Sequence, residues 1–186
     1  MMCNKGVMTG FITLFVCASF ATIALASDHF DEQQHFIDAS FGETIPQSKT
    51  LWLTKDLKKD VAKIMGHKNF QGLRVRYHTE GARTVWVLEE IGKYKPITVG
   101  VSVNQGAIEK LRVLAYRESH GWEVKQDFFT RQFIGAKLSK KWRLDEDIDG
   151  ISGATLSVRA LNKLARLALY FDSVVQQSNT EAATAK

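Results

Sequence analysis

Seven consecutive residues near the C-terminal end combine an acid, two glycines and two hydroxyl side chains: Asp149-Gly150-Ile151-Ser152-Gly153-Ala154-Thr155. They open directly into an apolar-periodic run, Leu156 to Phe171, which reads as a helix. A helix start leaves backbone N–H groups without partners, and those groups suit a phosphate. The Thr155 hydroxyl at such a place could itself be esterified by one. Gly153 and Ala154 are small enough to let a phosphate and an attaching enzyme approach, and Ser152 adds a second hydroxyl. The plain alternative is that Ser152 or Thr155 merely caps the last helix.

Two further groups precede it. Tyr116-Arg117-Glu118-Ser119-His120-Gly121-Trp122 follows a strand-like run, and its plain reading is a turn. Trp122 reads equally as core and as a ligand contact. Phe128-Phe129-Thr130-Arg131-Gln132-Phe133 before Gly135 reads as a short helix, with Phe128, Phe129 and Phe133 building core beneath the site.

Taken together, these residues resemble the FMN-binding domain proteins, a family that includes the covalent-FMN subunits of the sodium-pumping NADH:quinone oxidoreductase and of the Rnf complex. The resemblance covers Tyr94 to Leu169. It implies that Thr155 carries FMN through a phosphoester bond. Asp149, Gly150, Ser152, Gly153 and Ala154 form the attachment motif, and Glu118, Ser119 and Gly121, with Trp122 beside them, line the flavin ring. Complex-bound members commonly carry Pro-Gly where this chain has His120-Gly121. The resemblance further implies a separate flavin transferase, using FAD and a divalent metal, and redox partners such as a membrane flavoprotein, a quinone-linked subunit or a cytochrome. Thr155 is then a modified residue, and no residue is assigned a catalytic role.

The rest of the chain narrows the alternatives. The histidines, His29, His35, His67, His78 and His120, lack metal-ligand spacing, so no metal site is expected. No nucleophile elbow precedes Ser152. The net charge of +5 is modest and spread out, and no nucleic-acid motif accompanies it. Lys93 and Lys95, then Lys137, Lys140, Lys141 and Arg143, form two small basic patches that read as solvated faces or as a surface for an acidic redox partner.

At the N-terminus, Lys5, the apolar run Gly10 to Leu25 and Ala24-Leu25-Ala26 read as a signal peptide over residues 1–26, cut before Ser27. The expected location is the periplasm; the alternative is an anchor by an uncleaved N-terminal helix. Both cysteines, Cys3 and Cys17, lie in this leader, so the mature chain offers no disulfide, thiolate site or cysteine-ligated cluster.

The elements that must position the site follow from periodicity. Residues 27–50 read as an irregular arm, residues 51–175 as the FMN-binding domain and residues 176–186 as a flexible tail. Thr54 caps a helix that Gly66 ends. Leu73 to His78, Thr84 to Ile91, Pro96 to Val103 and Ile108 to Tyr116 alternate as strands. The expected fold is α+β, an antiparallel sheet of about four strands with flanking helices in one domain. The expected function is an exported flavoprotein acting in electron transfer. The alternatives are a small flavin reductase, with His120 or Glu118 as proton donor, and a non-redox binding module on the same fold.

Overall fold

The computed structural model describes residues 20–42, 44–68 and 70–184. The expected signal segment therefore lies outside the described residues up to position 19. Five antiparallel strands form one sheet in sequence order: β1 (Lys49–Trp52), β2 (Arg74–Glu80), β3 (Arg83–Ile91), β4 (Pro96–Asn104) and β5 (Ala107–Tyr116). The helices are α1 (Phe20–Phe41), α2 (Lys55–Met65), α3 (Asp127–Thr130) and α4 (Thr155–Thr184), with 3-10 turns at Trp122–Lys125 and Arg131–Phe133. The fold is α+β.

The sheet is built by alternation. Ile97, Val99, Val101 and Val103 on β4 share one face with Trp86 and Leu88 on β3, packed against Leu161, Leu164, Ala168 and Phe171 of α4. Phe129 and Phe133 join the same core, and both are fully buried. Phe128 does not; it is 64% exposed. A single helical turn can bury only one side, and adjacent residues on it point about 100° apart.

α2 begins and ends where its residue types require. The Thr54 hydroxyl accepts from the Leu57 N–H at 3.3 Å. Gly66 takes the left-handed conformation at φ 68°, and the His67 N–H returns to the Ala62 carbonyl at 2.9 Å.

Three sequence expectations change. Residues 27–41 are not an irregular arm but part of α1. Its apolar stripe is narrow: Phe36 and Ile37 pack with Val85 and Leu114 on the second face of the sheet. Phe36 rests directly on Gly100, where an added Cβ would stand 2.5 Å from the ring. The helix is thus held by tertiary contact rather than by an amphipathic pattern strong enough to read. β1 is an added fifth strand, four residues paired with Arg74–Tyr77 at the sheet edge, too short to alternate visibly. The tail expected to be flexible continues α4 to Thr184. Ala, Glu and Gln there accept helix, and the preceding turns are already fixed by burial of Leu161 to Val175.

Candidate functional site

Ile151, Ser152 and Gly153 form a tight turn closed by the Ala154 N–H on the Ile151 carbonyl at 3.0 Å, with Gly153 at φ 81°. The Ala154 carbonyl then accepts from Val158 at 2.9 Å, so α4 starts with Ala154 as its cap and Thr155 as its first full member. Alanine has no acceptor for a capping bond. Neither Ser152 nor Thr155 makes one among the described residues. The N–H groups of Thr155, Leu156 and Ser157 likewise have no acceptor there. Thr155 is exposed, whereas Ala154 is buried. The Asp149 N–H is tied to Gln132 Oε1 at 2.8 Å, and its carboxylate lies in the open.

The second segment is more tightly built. Glu118 Oε1 accepts from three successive backbone N–H groups, Lys93 at 2.5 Å, Tyr94 at 2.6 Å and Lys95 at 2.9 Å. It thereby clamps the β3–β4 turn. The N–H of Lys95, followed by those of Tyr94 and Lys93, holds its carboxyl below the usual glutamate range. Gly92 leaves room for the clamp, since a Cβ there would lie 3.0 Å from Glu118 Oε1. Ser119 Oγ meets His120 Nδ1 at 2.9 Å.

Gly121 joins the two segments. Its φ is 85°, and an added Cβ would stand 2.9 Å from both the Ala154 Cβ and the Tyr116 hydroxyl. The Tyr116 hydroxyl itself bridges the His120 carbonyl at 2.5 Å and Ser157 Oγ at 2.9 Å. Burial pushes its phenol up from the ordinary value, against the pull of the Ser157 bond.

These contacts enclose a cleft of about 770 Å³. Glu118, Ser119, Gly121 and Trp122 line one side, and Ser152, Gly153, Ala154 and Thr155 the other. Asp149 and Gly150 do not line it. Trp122 is 56% exposed, so the core alternative for it fails. The structure adds Tyr94, which is 76% exposed in the same cleft, with Lys93 Nζ 4.9 Å from its ring centre. It also adds Leu156 and Ser157, and it places His120, the other candidate proton donor, in the same cleft. Tyr94 is far from the motif in sequence and carries no local signal. Ser157, two residues beyond Thr155, could have been found by asking which α4 residues share its first turn.

Residues 92–170 match the family model of the FMN-binding domain. Over that stretch the chain is similar to the FMN-binding domain. The matched stretch runs from the glycine under the Glu118 clamp, through both cleft segments, into the buried half of α4. No curated protein matches the chain in sequence.

The residues present fit FMN. The cleft lies in the size range of ligand sites, about 300–1,000 Å³. Exposed aromatic rings suit a planar ring system, and α4 offers unpartnered N–H groups beside an exposed hydroxyl. Thr155, at the start of α4, would carry the phosphate end, and Tyr94 and Trp122 would hold the ring. Among the described residues no cluster of His, Cys, Asp or Glu could hold a metal ion.

Proposed function

We propose that this protein is an exported electron carrier with FMN esterified to Thr155. The observation that carries the reading is convergence: the Glu118–Trp122 segment and the Ser152–Thr155 motif line one cleft, and Thr155 is exposed beside it. When bound, FMN supplies reversible one- or two-electron redox chemistry. The chain's own residues hold it, shield it and set its exposure.

Attachment requires Thr155 Oγ to reach an electrophilic phosphorus. In the proposed step Oγ forms a bond to the FMN phosphorus of FAD, the pyrophosphate P–O bond breaks, AMP leaves, and the hydroxyl proton passes to a base of the transferase. The absence of a capping bond leaves the Thr155 hydroxyl available, and small neighbours keep the approach open. Covalent attachment would also retain the cofactor in the periplasm, where free FMN would be lost.

Glu118 is unsuited to proton donation. Its carboxyl is held ionised, and its Oε1 is engaged by three N–H groups. That weighs for a carrier, served by a donor and an acceptor protein, over a reductase using Glu118 as an acid. The test is an intact mass of the protein purified from a transferase-containing host, beside Thr155→Ala. One FMN less water on wild type, absent from the variant, is the expected result. An unmodified mass in both would overturn covalent attachment.

A further inference from the structure

Thr155 borders a second cleft, of about 440 Å³, and is the residue shared with the lining of the aromatic one. Thr155, Arg159, Asn162 and Arg166 line it at helical spacing along a single face of α4, and Arg143 faces them. None of the three arginines forms an ion pair among the described residues. Arg166 is anchored instead by carbonyls, those of Ile64 at 3.0 Å, Asn162 at 3.2 Å and Trp142 at 3.5 Å. Burial, then the charge of Arg143, disfavours its cation. Glu146 and Asp147 also line this cleft, and its cations outnumber its carboxylates by one. The aromatic cleft has the opposite balance: Lys93 stands against Glu118 and Glu123.

A group esterified to Thr155 must place its phosphate beside one cleft or the other. A phosphodiester carries one negative charge. Helical side chains lean toward the N-terminus, so Arg159, one turn beyond Thr155, projects back over it. We propose that the arginine cleft is the phosphate subsite of the bound flavin, with Arg159 its principal partner and Arg143 supporting, while the ring lies in the aromatic cleft. This rests on the flavin reading above.

The test uses the full chain made in a host without the transferase, titrated at low salt with FMN and with riboflavin, which lacks the phosphate. Wild type binds FMN about tenfold more tightly than riboflavin, the scale of one charge-assisted contact. Arg159→Gln removes most of that preference and leaves riboflavin affinity unchanged. Arg159→Lys retains part of it. A preference for FMN that survives Arg159→Gln and Arg143→Gln together overturns the proposal and assigns the phosphate to the α4 N–H groups. An equal loss of both ligands overturns it as well, because the arginine would then be structural. Failure of wild type to bind either flavin overturns this subsite, while the intact mass from a transferase-containing host decides the flavin reading separately.

Discussion

The two walls of the aromatic cleft are made in opposite ways. The Glu118–Trp122 wall is over-determined: a carboxylate fixed by three N–H groups, a glycine in left-handed conformation and a tyrosine bonded on two sides. The Ser152–Thr155 wall, with the Asp149–Ile151 residues that lead into it, is held lightly, by Gln132 on the Asp149 N–H, one turn and the contact of Ala154 with Gly121. Gly150 and Gly153 have open space where a Cβ would stand. A rigid wall suits orientation of a ring. A lightly held, exposed wall suits a residue that another enzyme must reach and modify.

The contrast can be broken by substitution. The largest effect is expected at Gly121. Gly121→Val forces a β-branched residue to positive φ and drives side-chain atoms into Ala154 and the Tyr116 hydroxyl. It should cost on the order of 3 kcal/mol and abolish flavin binding. Thermal unfolding and flavin titration measure both, and an unchanged Tm would refute the packing argument.

Tyr116→Phe comes next. It removes the link between the walls and leaves the buried Ser157 hydroxyl without its partner. A loss of about 1–2 kcal/mol is expected in denaturant unfolding.

Glu118→Gln sharpens the comparison through pH. The folded carboxyl titrates below its unfolded value, so the clamp contributes stability above the ordinary glutamate range. That contribution is lost as pH falls through the folded value. Amide exchange at Lys93, Tyr94 and Lys95, taken relative to its intrinsic rate at each pH, should therefore lose protection on acidification in wild type. In Glu118→Gln it should be fast already at neutral pH, and persistent protection would contradict the clamp.

The smallest effect on folding is expected in the residues that lead into the light wall. Gly150→Ala should change stability by under about 0.5 kcal/mol, since a Cβ there meets nothing. If the segment serves recognition by a transferase, the same variant should still lower the flavinylated fraction in an intact-mass measurement. Equal loss of stability at Gly150 and Gly121 would erase the distinction between the walls.

Local pattern carried much of this in the sequence. The Thr54 and Gly66 caps, four of the strands and the start of α4 follow from residue type and spacing. The heptapeptide likewise announced an unusual helix start, because Ser-Gly-Ala-Thr places small residues and hydroxyls where backbone N–H groups are free. What escaped was contact between distant residues. Trp122 was undecided until its exposure was known, Phe128 read as core by its type alone, and α1 depends on Phe36 meeting Gly100.

By itself, then, the sequence determined the α+β class and the strand alternation, which depend on short-range periodicity, while its resemblance to the FMN-binding domain proteins pointed to Thr155 as the candidate for modification. Only the tertiary structure decided that Tyr94 shares a cleft with Thr155, that Glu118 holds a turn rather than standing free, and that arginines gather in a second cleft that Thr155 borders. Those facts depend on how the sheet, its turns and α4 pack. Packing brings together side chains whose separation along the chain leaves no periodic trace.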